Sequence, residues 1–126
     1  MRSVDTNVLV RLLTRDDARR TSAAEAFVVG GAWVSHLVLA ETTWLLTSVY
    51  ARSARELAGA IDRLLDHRDL VVQDPDTVRS ALNTFRKRSA PSFSDCLIRE
   101  LAMRAGHVPL GTFDRDLARL DGVERL

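Results

Sequence analysis

Cysteine is nearly absent from this 126-residue chain, and a single Cys96 can form neither a disulfide framework nor a cysteine zinc site. A lone thiol agrees with a reducing cytoplasm, and its simplest role is as a small core residue. Aromatic residues make up only 6% and mostly fall in apolar stripes, which offers little for a carbohydrate cleft. Charge of one sign is also missing. Eighteen basic groups stand against 17 acidic ones, so no global field draws a polyanion, and any nucleic-acid surface must be local. Lysine is reduced to Lys87, with arginine supplying the remaining cations, which suits phosphate forks but equally reflects codon bias. His36, His67 and His107 are scattered without ligand spacing. The longest apolar stretches, 27–34 and 37–46, are broken by glycines or by Glu41 and are too short to span a bilayer. Residues 1–15 contain Asp5 and Arg11 and do not read as a signal peptide, so a cytoplasmic location without a membrane role is expected. There is no repeat, low-complexity tract or linker, and the length predicts one domain over 1–126.

What is present is an alternation of short apolar runs with helical patterns. Val4 closes a very short strand, and Asp5-Thr6-Asn7 caps a helix over Val8 to Leu13. A helix from Asp16 and Asp17 runs through Val29 to the stop Gly30-Gly31. A brief strand over Ala32 to Ser35 and an apolar helix over Leu37 to Val49 follow. Ser53-Ala54-Arg55-Glu56 has capping-box spacing and opens a helix with Leu57, Ile61, Leu64 and Leu65 on one face. Leu70 to Val72 reads as a strand, and Asp74-Pro75-Asp76 precedes a helix over Thr77 to Arg88 that breaks at Ser89-Ala90-Pro91. From Ser92 a helix sets Phe93, Leu97, Ile98, Leu101, Ala102 and Ala105 on one side and stops at Gly106. Val108 to Gly111 is a strand, Asp114 starts a short helix, and Val123 to Leu126 is a terminal strand. The alternation predicts an α/β fold, a three-layer α/β/α sandwich around a short-stranded, mostly parallel sheet covered on both faces.

Four acids occupy informative positions in that pattern. In open parallel sheets ligands bind beyond the carboxyl ends of the strands, at the N-termini of the following helices. Asp5 ends the first strand, Asp114 follows the fourth, and Asp95 lies in the first turn of its helix; simple capping accounts for each taken alone. Glu41 lies one turn from Leu37 and from Leu45, with Trp44 three residues on, so it interrupts an apolar stripe. It is either a buried carboxylate needing a partner or an edge residue reaching solvent. Together the four suit hard divalent cations such as Mg²⁺ or Mn²⁺, which prefer oxygen ligands. If they converge, two cations roughly 3.5 to 4 Å apart could serve phosphodiester hydrolysis. Asn7, Thr112 and Ser94 are candidate supporting groups, and Asp116 rivals Asp114 as the fourth acid. Arg86, Lys87 and Arg88, with Arg11, Arg15 and Arg115, are candidate RNA contacts, although 86–88 is also what a solvated helix end contains.

The strings VDTNVLVRLL at 4–13, VSHLVLAETTWLL at 34–46, FSDCLIRELA at 93–102 and LGTFDRDLARLDGVERL at 110–126 resemble the PIN-domain family, most closely its VapC-type toxins. Four such motifs in one order are a specific likeness over nearly the whole chain. The resemblance implies an RNA hydrolase using Mg²⁺ or Mn²⁺ and leaving a 5′-phosphate and a 3′-hydroxyl. Asp5, Glu41, Asp95 and Asp114 would be the metal-binding acids, and Thr112 or Asn7 would support them. It also implies a homodimer held inactive by a cognate antitoxin. The opening Met-Arg-Ser-Val is less apolar than the family's usual first strand. Two other classes compete: a binding module for RNA or protein that does not cut, and a phosphatase using Asp5. The latter is disfavoured because Asn7 stands where a second acid would donate the proton. Cys96 as a nucleophile is disfavoured because Asp95 beside it opposes a thiolate.

Overall fold

Short apolar runs between capped helices give the chain its architecture, seen in a computed structural model that describes every residue except Ser89. The predicted break at Ser89 therefore lies outside the described residues. The remaining chain forms an α/β fold of six helices and five short strands, all paired in parallel. It divides into two compact units, Met1–Pro75 and Asp76–Leu126.

The first unit contains strands β1 (Arg2–Ser3), β2 (Ala32–Val34) and β3 (Leu70–Val72), ordered β1-β2-β3. Arg2 pairs with Ala32, and Val34 with Val72. β1 has only two residues, as the polar opening foreshadows, but the Val4 amide still donates to the Trp33 carbonyl and prolongs the pairing toward Asp5. The strands bury alternate residues: Ala32, Val34, Leu70 and Val72 point into the core, while the paired Trp33 and Val71 stay 39% and 46% exposed. Trp33 and Val71 are thus the positions of this small sheet left partly open, within a fold consistent with the predicted α/β sandwich.

Four helices complete the unit: α1 (Thr6–Thr14), α2 (Ala18–Val28), α3 (His36–Ser48) and α4 (Ala54–Asp66). Asp5, Asp17, Ser35 and Ser53 cap them, each side chain accepting an amide hydrogen of the first turn. At Ser53 the full capping box forms with Glu56. α2 gives way to Gly30 and Gly31, whose φ of 87° and 115° a side chain would resist.

The second unit is built from α5 (Pro75–Lys87), α6 (Phe93–Arg104), β4 (Leu110–Thr112), a single 3₁₀ turn (Leu117–Arg119) and β5 (Val123–Arg125), with Leu110 paired to Val123. β4 starts after Pro109, which has no amide hydrogen to give a strand partner. Val78, Leu82, Phe85, Phe93, Cys96, Leu97 and Leu117 are buried, and the Phe85 and Phe93 rings meet edge to face at 6.1 Å. Only part of the predicted α6 stripe is covered. Ile98 and Leu101 are 50% and 38% exposed, and Cys96 takes the inward position instead. Among the described residues no helix is long and apolar enough to cross a membrane.

Candidate functional site

The candidate residues fall into two pairs, one per unit. In the first unit Asp5 follows Val4 at the end of β1 and is exposed, with Oδ1 accepting the Val8 amide at 3.3 Å as the N-cap of α1. Capping uses one oxygen and leaves Oδ2 open among the described residues. Asp5 also borders an open depression of about 430 Å³ lined by Ser3, Val4, Val8, Phe27 and Val38.

Glu41 is positioned by a feature of α3 that its apolar composition conceals. The buried face is Leu39, Thr42, Thr43 and Leu46, spaced one turn apart. Its threonines can turn inward because their hydroxyls donate to the Val38 and Ala40 carbonyls of the preceding turn, both at 2.8 Å. Leu37, Glu41 and Trp44 therefore lie on the exposed side, Leu37 at 70% and Trp44 at 63%. The stripe that Glu41 interrupts is a surface stripe, so the solvent-reaching alternative holds and no buried unpaired charge arises. A partner exists nonetheless: the Thr6 hydroxyl donates to Glu41 Oε2 at 3.0 Å across 35 positions of sequence. Thr6 is buried and adjoins Asp5, so it ties Glu41 to the end of β1. Its role has no signal in the sequence beyond the Asp-Thr-Asn string, because its partner is remote.

In the second unit Ser92 caps α6, its hydroxyl accepting the Asp95 amide at 3.1 Å and lying 3.1 Å from the Ser94 hydroxyl. This fixes the backbone that carries Asp95. Partial burial pushes the Asp95 carboxyl above its ordinary value of 3.8; a Ser92 hydrogen bond opposes the rise, and the negative charge of Asp114 adds to it. Asp114 is exposed, receives the Asp116 and Leu117 amides on Oδ1 at 2.8 and 3.3 Å, and donates its own amide to Thr112 Oγ1 at 3.0 Å. Its rival Asp116 lies 4.0 Å from Arg119. Of the two, Asp114 is the one whose charge is felt at Asp95.

The remaining candidates are less engaged with the acids. Asn7 is exposed in the first turn of α1. Arg11 and Arg15 form ion pairs with Asp16 and Glu25, so carboxylates already occupy them. A cavity of about 620 Å³ in the first unit is lined in part by Arg15, Glu25, Arg63 and His67 and by none of the four acids. Arg86, Lys87, Arg88 and Arg115 are exposed. His36 is structural, with Nε2 2.6 Å from the Gln73 carbonyl. Cys96 is buried, and its thiol is pushed up to about 11 by burial and by the charge of Asp95, which removes it as a nucleophile at neutral pH.

The sequence predicts all four acids in one hollow. The structure brings Glu41 to Thr6 beside Asp5, and Asp114 within electrostatic reach of Asp95. Among the described residues no three His, Cys, Asp or Glu side chains form a single group able to hold a metal ion. The donor chemistry still fits a hard divalent cation. Burial and Asp114 both penalise the ionised Asp95, and a bound cation would reverse each penalty.

No curated relative and no solved structure matches the chain. PIN domains are typically nuclease modules and generally use divalent metal ions, in keeping with a site that offers only oxygen donors. A family model for the PIN domain matches residues 3–123, and the chain belongs to the PIN domain family.

Proposed function

We propose that this protein is a divalent-metal-dependent endoribonuclease acting as the toxin of a toxin–antitoxin pair. Mg²⁺ is the natural ion and Mn²⁺ a substitute, a cognate antitoxin and a second copy of the chain are its protein partners, and RNA is the substrate. The observation that carries the nuclease reading is the placing of Asp95 near Asp114, where partial burial, and after it the charge of Asp114, raises the Asp95 carboxyl in a family of generally metal-dependent nucleases. The toxin role rests on the four family-like motifs of the sequence.

Asp5, Glu41, Asp95 and Asp114 would hold the cation. When bound, it supplies a water of lowered pKa and offsets charge on the departing 3′-oxygen. The protein's own residues prepare for this. Thr6 fixes the carboxylate of Glu41, Ser92 sets the backbone of Asp95, and Thr112 holds the amide of Asp114. Each hydrogen bond narrows the positions a ligand oxygen can take.

Incubation of labelled RNA with the protein should give cleavage with Mg²⁺ or Mn²⁺ and none with EDTA, and Asp5→Asn combined with Asp95→Asn should abolish it. Metal-independent cleavage, or full activity in the double variant, would reject the proposal. The competing reading is an RNA- or protein-binding module without cleavage. Calorimetric metal binding with no RNA turnover would decide in its favour.

A further inference from the structure

Cations in the second unit gather where helix-end preference does not explain them. A depression of about 190 Å³ is lined by Thr84, Lys87, Arg88, Arg99, Arg119 and Asp121, among others. Lys87 closes α5 and Arg88 follows it, positions that favour cations beside unsatisfied carbonyls. That account does not reach Arg99, in the middle of α6, and Arg119 ends a single 3₁₀ turn too short to build a sizeable dipole. Three separate elements thus direct positive side chains to one concavity. Counting Asp116 beside Arg119, cations outnumber carboxylates there four to two. Arg99 spends its Nε on the Asp121 carbonyl at 3.0 Å, which orients the guanidinium and leaves its terminal nitrogens to donate. The depression also adjoins the acids. Arg99 lies one helical turn beyond Asp95 on the same face of α6, and Arg119 belongs to the turn whose first amides Asp114 holds.

We infer that this depression is a phosphate-binding subsite for single-stranded RNA, holding the backbone that flanks the bond being cut. The inference rests on the nuclease reading above and names how its substrate is held. A carboxylate pair repels a polyanion, and a chain with net charge of +1 has no overall field to offset this, so local guanidinium groups must. Arginine forks match phosphate oxygens in pairs, and two of the four cations come from elements tied to the acids.

Fluorescence anisotropy of a short labelled single-stranded RNA in EDTA, across a KCl series, tests it without cleavage. Lys87→Gln with Arg88→Gln should weaken binding and flatten the plot of log affinity against log salt by about 1.4, and Arg119→Gln by about 0.7, at about 0.7 per phosphate contact. Arg79→Gln, elsewhere on α5, should leave the slope unchanged, and the charge-retaining Lys87→Arg with Arg88→Lys should preserve it. Circular dichroism of each variant verifies the fold. Unchanged slopes in both neutralised variants would overturn the subsite, as would a wild-type protein that binds no RNA. Metal-dependent cleavage by wild type alongside unchanged slopes would sink the subsite alone. A wild-type protein that neither binds nor cleaves RNA would sink the nuclease reading with it.

Discussion

At the scale of single residues, the hydroxyl of Thr6 does work that its position only hints at. It donates to an exposed carboxylate, where the bond is worth less than in a dry interior, so its loss should cost about 1 kcal/mol, or about fivefold in kcat/KM. Thr6→Val keeps the buried shape and should show that drop, while Thr6→Ser should restore activity; equal rates for all three would show that Glu41 needs no anchor. Asp95 makes a prediction of opposite sign for stability. Its folded carboxyl titrates above the ordinary 3.8, so between the two values the folded state holds the extra proton, and stability falls as pH rises through that window. Above the window the loss is complete, and well below it there is none. Asp95→Asn should therefore raise Tm in EDTA at pH 7, with the gain shrinking as pH drops through the carboxylate range. A variant less stable than wild type at pH 7 would contradict this. Cys96, buried and raised to about 11, should resist alkylation at pH 8 in the folded protein and react once urea exposes it.

At the scale of elements, caps account for most of what was legible beforehand. Ser53-Ala54-Arg55-Glu56 predicts a capping box because a side-chain oxygen three residues from a carboxylate satisfies two amides reciprocally, and the structure has both bonds. Ser53→Ala should cost about 1 kcal/mol and lower Tm by about 4 °C, as thermal denaturation would register. Asp5, Asp17 and Ser92 are legible for the same local reason, as are the stops at Gly30 and Gly106 and the strand Leu70–Val72. What eluded the sequence is which face of a helix meets the core. Periodicity groups residues on a face without saying what covers it. Ile98 and Leu101 share a stripe with Phe93 yet remain half exposed, and α3 buries threonines while Leu37 and Trp44 face water. The Thr6–Glu41 bond and the gathering of Arg99 with Arg119 depend on chain separations that no local pattern encodes.

At the scale of the whole molecule, a near balance of charges removes any long-range attraction for a polyanion, so the acids are a liability unless a cation offsets them. Folded protein that binds a divalent ion gains stability by mass action, about 2.7 kcal/mol when the ion stands at a hundredfold excess over its Kd, provided the unfolded chain does not bind it. Mg²⁺ or Mn²⁺ should therefore raise the wild-type Tm by several degrees. The variants ask how the four acids share the task. Asp5→Asn alters the first unit and Asp95→Asn the second. If the metal response depends on all four acids as proposed, either substitution alone should abolish most of the shift. The two losses combined should then hardly exceed one, since ligands that act as a unit are not additive. If each pair binds its own ion, each variant should keep part of the shift and the double variant should lose their sum. A wild-type Tm indifferent to both metals would remove the cation from the mechanism, because acids that bind nothing have only their local hydrogen bonds to explain them.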